Sequence, residues 1–167
     1  TALAQCTPCP AGLYSDVGGL DICKGCEAGR YSIATSLALA SSCTICAAGF
    51  FQDTVGQLSC IECPEGSYNN DAGTNSYRHD DLSECSVCPI GYYNDEAGGV
   101  DLSSCVGCPT GRFNDKGGTV EDHDDLTDCL SCPQGRYNEA EGQRLSGCKA
   151  CPKGTYASDP GSNAVSS

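Results

Sequence analysis

Large apolar side chains recur along this chain singly, at fixed offsets from pairs of cysteines, and not in long runs. All 16 cysteines fall into eight C-x-x-C pairs, opening at Cys6, Cys23, Cys43, Cys60, Cys85, Cys105, Cys129 and Cys148, at intervals of 17, 20, 17, 25, 20, 24 and 19 residues. Behind each pair stands a glycine and, two residues on, an aromatic: Gly12 and Tyr14, Gly29 and Tyr31, Gly49 and Phe51, Gly66 and Tyr68, Gly91 and Tyr93, Gly111 and Phe113, Gly135 and Tyr137, Gly154 and Tyr156. A period near 20 residues marks a repeat architecture, in which each unit is too small to stand alone and leans on its neighbours.

Proline follows the second cysteine in six repeats (Pro10, Pro64, Pro89, Pro109, Pro133, Pro152). The chain is therefore predicted to turn at C-P-x-G, run extended through the aromatic, and turn again at the segments rich in Asn, Asp and Gly at 69–73, 94–99, 114–118 and 138–142. It then returns, which makes a small hairpin. A leucine stands three residues before the next cysteine at Leu20, Leu82, Leu102, Leu126 and Leu145, where it is expected to pack on the aromatic of its own unit. That pair and a disulfide are the whole predicted core. Segment 31–42, Y-S-I-A-T-S-L-A-L-A-S-S, lacks the glycine turn and reads as a short helical turn. The predicted fold class is small and disulfide-rich: a tandem array of short β-hairpin modules forming an elongated rod in which every unit touches only its neighbours. Residues 1–5 read as an N-terminal tail, 6–157 as eight repeats and 158–167 as a Ser-rich C-terminal tail.

Composition sharpens this. Leu, Ile, Val and Phe together number 26 of 167 residues, too few for a conventional core, and with 21 Gly and a formal charge of −13 the chain would read as disordered without its cysteines. Cross-links or metals must supply the order. Nine Lys plus Arg against 22 Asp plus Glu repel phosphate, which excludes a nucleic-acid groove. The longest apolar stretch, 45–51 with Gly49 included, falls far short of the roughly 18 residues that cross a bilayer. No membrane span is expected, and without a signal peptide the sequence reads as a mature or excised piece. Residues 1–59 carry 4 acids and 2 bases, residues 60–167 carry 18 and 7, so the acidity belongs to the later repeats.

C-x-x-C spacing also suits zinc. Four tetrathiolate sites would take the chain from −13 to −21, two charges per site, with no basic excess to offset them. Proline after the second cysteine also removes an N–H that could serve a ligating thiolate. Oxidised cysteines within one C-x-x-C are poor partners, because the loop is too tight. Bonds then link successive pairs. The simplest scheme joins the second cysteine of one pair to the first of the next: Cys9 with Cys23, Cys26 with Cys43, Cys46 with Cys60, Cys63 with Cys85, Cys88 with Cys105, Cys108 with Cys129 and Cys132 with Cys148. Each loop so closed is worth about 3 kcal/mol in chain entropy. This scheme leaves Cys6 and Cys151 to bond to further repeats or between subunits, head to tail. First to third and second to fourth within blocks of four is a competing connectivity, and it uses all 16 internally.

In the string C-x-x-C-P-x-G-x-[YF]-N-D, as C-S-V-C-P-I-G-Y-Y-N-D at 85–95 and C-V-G-C-P-T-G-R-F-N-D at 105–115, the sequence resembles the ephrin-receptor-like cysteine-rich repeat. The resemblance covers about residues 6–156 and extends, more distantly, to the first half of a tumour necrosis factor receptor module. It implies oxidised cysteines bonded between successive pairs, without choosing a connectivity, and an extracellular or cell-surface rod. Such repeats stand in receptor ectodomains, adhesive matrix proteins and appendages such as the flagellar hairs of protists. No ligand-binding residues carry over.

Candidate chemistry is sparse. His79 and His123 sit in acidic loops without a nucleophile beside them, so no enzyme and no cofactor is expected. Calcium is the one ion the acidic loops could hold, with Asp122, Asp124 and Asp125 as its candidates, although no calcium-loop spacing is present and charge runs on Gly-rich turns are usually just solvated. No N-x-[ST] sequon occurs, while Ser and Thr at 35–42 and 158–167 could carry O-glycans. Phe50, Tyr77 and Tyr92 lie outside the fixed aromatic stations and are the contact candidates if exposed. The function expected is structural: a secreted repeat protein that self-associates into a filament, appendage or matrix. A receptor-like ectodomain segment that binds another extracellular protein and a zinc-binding scaffold are the alternatives.

Overall fold

Seven antiparallel hairpins of two-residue strands carry the sheet structure of this computed structural model, which describes residues 6–18 and 22–164. In chain order β1 (Leu13–Tyr14) pairs with β2 (Lys24–Gly25), β3 (Arg30–Tyr31) with β4 (Thr44–Ile45), and β5 (Phe50–Phe51) with β6 (Ile61–Glu62). Likewise β7 (Ser67–Tyr68) pairs with β8 (Ser86–Val87), β9 (Tyr92–Tyr93) with β10 (Val106–Gly107), β11 (Arg112–Phe113) with β12 (Leu130–Ser131), and β13 (Arg136–Tyr137) with β14 (Lys149–Ala150). Each hairpin thus joins the aromatic strand of one repeat to the two residues inside the next C-x-x-C. The expected count of eight falls to seven because, among the described residues, nothing returns to pair with the segment after Gly154. The residues group into two compact units, Thr1–Glu62 with Asp71–Glu84 and Cys63–Asn70 with Cys85–Ser167.

Seven disulfides link the second cysteine of one pair to the first of the next: Cys9 to Cys23, Cys26 to Cys43, Cys46 to Cys60, Cys63 to Cys85, Cys88 to Cys105, Cys108 to Cys129 and Cys132 to Cys148. Their Cα atoms stand 5.5 to 5.8 Å apart, the usual span of such a bond. Fourteen thiols so bonded leave only Cys6 and Cys151 free, so no tetrathiolate zinc site can form.

What fills the interior differs from the expectation. Leu82, Leu102, Leu126 and Leu145 are all exposed, Leu102 by 54%, and Leu20 lies outside the described residues. Each of the four opens a 3-10 turn that delivers the chain to the next cysteine, at Leu82–Glu84, Leu102–Ser104, Leu126–Asp128 and Leu145–Gly147. The helical turn expected in segment 31–42 narrows to one more of these, Ala40–Ser42. In place of leucine, the interior holds cystines, three aromatics (Tyr14, Phe51, Phe113) and a set of polar side chains directly after the aromatics: Ser32, Gln52, Asn69, Asn94, Asn114 and Asn138. Tyr14 packs on Cys26 and Cys43, and Phe113 on Cys132 and Cys148, so an aromatic covers the disulfide that follows it along the chain.

The polar side chains are buried because they are fully used. Asn94 Nδ2 donates to Ser67 O at 3.1 Å, Asn114 Nδ2 to Asp122 O at 2.7 Å and Asn138 Nδ2 to Arg112 O at 2.9 Å. Their Oδ1 atoms accept from Glu96, Lys116 and Ala140 N–H, which fixes the turn after each aromatic. Backbone bonds continue the scheme from repeat to repeat. The N–H of the glycine station donates to the carbonyl one residue past the next repeat's aromatic: Gly12 to Ser32 and Gly29 to Gln52 in the first unit, Gly66 to Asn94, Gly91 to Asn114 and Gly111 to Asn138 in the second.

Contacts also skip a repeat, which corrects the expectation that each unit touches only its neighbours. Gly12 has φ +78°, and a Cβ there would run into the carbonyl of Gly56, two repeats on. Gly29 meets Ser76, Gly66 meets Val120, Gly91 meets Gly142 and Gly111 meets Gly161 in the same way. Only glycine fits such a station, both for its left-handed backbone and for the carbonyl against its α-carbon. Ser36, at φ +62°, stands where Gly56, Gly98, Gly142 and Gly161 stand in other repeats, its N–H donating to the second-cysteine carbonyl of the preceding repeat. Of the Ser-rich segment 158–167, Gly161 donates to Cys132 O and Ser162 O accepts from Asn138 N, so its described part is tied to the seventh repeat.

Candidate functional site

Two loops hold the histidines. In the fourth repeat a 3-10 turn at Ser76–Arg78 ends on His79, whose ring is fully buried. Its Nδ1 lies 2.7 Å from Phe50 O and its Nε2 3.0 Å from Asp71 Oδ1. Asp71 also accepts from the backbone N–H of Gly73 and Thr74 and from the Thr74 hydroxyl, and Arg78 lies 3.5 Å from Glu84. The Thr74 N–H first, and His79 second, hold the Asp71 carboxyl well below the usual carboxylate range.

The sixth repeat repeats the device with one change. A 3-10 turn at Val120–Asp122 ends on His123, also fully buried, with Nδ1 2.7 Å from Tyr92 O. A carbonyl only accepts, so Nδ1 carries the hydrogen and Nε2 is left as an acceptor, buried and without a partner. No carboxylate plays the part of Asp71 here. Instead Lys116 sits 3.3 Å from Asp122 and 3.4 Å from Asp128. Those two carboxylates raise the Lys116 ammonium above its ordinary value, Asp122 more than Asp128.

Of the calcium candidates, Asp122 and Asp125 are engaged by the chain itself. Asp122 accepts from the Thr119 hydroxyl, and that bond and Lys116 lower its carboxyl. Asp125 caps the turn before Cys129 by accepting from Thr127 N at 2.6 Å, and Asp128 accepts in return from Asp125 N. Asp124 is pushed up, by desolvation first and by the neighbouring Asp128 next. Among the described residues no three His, Cys, Asp or Glu side chains are grouped to hold a metal ion. Asp81 and Asp101 cap their turns as Asp125 does, through Ser83 N and Ser103 N. The string D-L-[ST]-x-C, present at 81–85, 101–105 and 125–129, is thus a cap signal, and its leucine is not a core residue. Asparagine directly after four of the aromatics was the matching signal for the buried amides.

Of the contact candidates, Tyr77 is 74% exposed, whereas Phe50 and Tyr92 are half-buried. Phe50 lines a shallow cleft of about 240 Å³ with Tyr31, Ala47, Ser59 and Cys60, and the Tyr92 ring lies over Gly142. The eight station aromatics form no continuous exposed ladder: Tyr14, Phe51 and Phe113 are buried, while Tyr156 is 84% exposed. Cys6 is exposed and Cys151 half-buried. Thr35, Ser36, Ser41, Ser42 and Ser158 are open to solvent; Ser166 and Ser167 lie outside the described residues.

Hairpins strung on inter-repeat cystines, polar amides at the centre and capped turns before each bridge define a disulfide-rich tandem repeat of the kind that receptor ectodomains use. The sequence profile of the family described as tyrosine-protein kinase ephrin type A/B receptor-like matches residues 34–79, 73–124 and 118–167, and the chain belongs to this family. No curated protein matches the chain. No helix of the described residues is long and apolar enough to cross a membrane.

Proposed function

We propose that this chain is a structural, non-catalytic element of the extracellular space or cell surface, a stiff spacer of stacked repeats that self-associates into a filament, appendage or matrix. One observation carries the reading: the polar groups that usually build a site are consumed in holding repeats together. His79 and His123 each bind a carbonyl of the preceding repeat, the asparagines are buried in turns, and the Asp side chains cap 3-10 turns. Seven disulfides fit an oxidising compartment. Light scattering and small-angle X-ray scattering over a concentration series test it. Particles that grow with concentration and have elongated profiles are expected. A monomer at every concentration that retains a soluble protein partner would overturn it in favour of the second reading, a ligand-binding ectodomain segment, for which the exposed Tyr77 offers an anchor.

A further inference from the structure

Five of the seven bridges share a cover. A 3-10 turn delivers the chain to Cys43, Cys85, Cys105, Cys129 and Cys148, and both members of each of these bridges are 6% exposed or less. The bridge from Cys46 to Cys60 has no such turn. Its members stand 14 residues apart, against 16 to 22 for the five, and segment 52–59 reaches Cys60 through bends, held by the Gln52 amide that donates to Ser59 O. Cys46 is fully buried. Cys60 is half-buried and, with Tyr31, Ala47, Phe50 and Ser59, lines the shallow cleft of about 240 Å³. All of these residues belong to the first compact unit, with described repeats before and after them.

We propose that Cys46–Cys60 is a thiol-exchange site: a low-molecular-weight thiolate enters this cleft, attacks Cys60 and opens the bridge ahead of the five that turns cover. This goes beyond the spacer reading and holds whether or not the chain self-associates.

Exchange needs a thiolate to reach one of the two bonded sulfurs, so access decides which bridge reacts first. Charge favours the same bridge. The loop it closes, 47–59, carries Asp53 alone, whereas 64–84, 89–104 and 109–128 carry five, three and six acids against one, no and two bases. Those loops repel a thiolate, and glutathione with its two further carboxylates most of all. Cys26–Cys43 and Cys132–Cys148 close loops without net charge, and burial alone sets them apart. Cys9–Cys23 also spans 14 residues, but residues 19–21 of its loop lie outside the described residues.

The step balances in two exchanges. The thiolate bonds to Sγ of Cys60 and breaks the bridge, and Cys46 leaves as a thiolate that takes up a proton. A second thiolate then attacks the small-molecule sulfur of this mixed disulfide and releases Cys60, which takes up the second proton. The bridge has gained two electrons, and the two small thiols have become one disulfide.

Free Cys6 and Cys151 are first capped with iodoacetamide. The oxidised chain is then held in reduced glutathione without denaturant, quenched at intervals with a second alkylating reagent and mapped by mass. Cys46 and Cys60 should take the second label about tenfold faster than the ten cysteines of the covered bridges, with the first glutathione adduct on Cys60. Ala47→Phe, at an exposed residue of the cleft, should slow that opening severalfold and leave the covered bridges unchanged. Ser59→Asp should slow glutathione severalfold more than cysteamine, whose ammonium offsets its thiolate, and it carries the test if A47F does not regain its bridges. Opening of all bridges together, earlier opening of any of the five, a first adduct on Cys46, or a rate indifferent to both substitutions would each overturn the proposal. A chain that opens this bridge first yet stays monomeric at every concentration keeps the site and loses the filament reading.

Discussion

The loop that ends on His79 and the loop that ends on His123 are one design in two chemical finishes. Both close with H-D-D-L-[ST]-[ED]-C, both bury the imidazole completely, and both point Nδ1 at a carbonyl of the preceding repeat's aromatic strand. They part at Nε2, where Asp71 closes the first loop and nothing closes the second. In the sixth repeat the charge pairing has moved to Lys116, which reaches the half-buried Asp122 and the buried Asp128. What persists is the strut from ring to carbonyl, which holds a long loop onto its neighbour in a repeat too small to do so with apolar surface. The carboxylate is not common to both loops, and without it the sixth repeat leaves a buried acceptor nitrogen unpaired.

The comparison breaks most directly at the disulfides. Replacing both members of Cys63 and Cys85, or of Cys108 and Cys129, with serine should cost ~2–5 kcal/mol in denaturant unfolding, nearly equally for the two, since the loops span 22 and 21 residues. Markedly unequal losses would mean that the histidine finish, and not the cross-link, governs each loop. The next largest effect separates the histidines. His79→Ala, which empties a buried site and strips two polar contacts, should cost ~2–4 kcal/mol, and His123→Ala ~1–3 kcal/mol. Equal values would show that Asp71 adds nothing.

Below these come the amides that anchor the turns. Asn114→Ala should lose about 1–3 kcal/mol, whereas Leu102→Ala on its exposed turn should stay within about 0.5 kcal/mol. A costly Leu102→Ala would restore the leucine core. The smallest effect is a pH dependence of opposite sign in the two loops. Asp71 is depressed when folded, so its contribution is complete above the ordinary carboxylate value near about 4 and fades as the pH falls toward its lower folded value. Asp124 is raised, so between the ordinary and the folded value its share of the stability falls as pH rises and returns on mild acidification. Asp71→Asn should therefore flatten the acid limb of a thermal-melt series, and Asp124→Asn should remove the mild-acid gain; a D71N variant as acid-sensitive as the parent would refute the pairing.

Much of the fold was legible from spacing. The cysteine period, the glycine and the aromatic are covalent and conformational demands that act within a few residues, and each left its mark at a constant offset. The interior was harder to read. Leu82, Leu102, Leu126 and Leu145 suggested burial by type, but they ride on the outside of 3-10 turns, while Asn69, Asn94, Asn114 and Asn138, read only as turn formers, are buried. In a unit with so little apolar surface, satisfied hydrogen bonds and cystines compete well for the centre, and residue hydrophobicity alone predicts the wrong occupant.

By itself, then, the sequence determined the repeat, the hairpin class and the dependence on the cysteines, because those follow from local geometry and from a composition that cannot fold by burial. Only the tertiary structure decided between the two connectivities, placed the histidine struts and brought Gly12 against Gly56 two repeats away. Those choices depend on how one repeat lies on the next, a distance in space that no offset along the chain encodes.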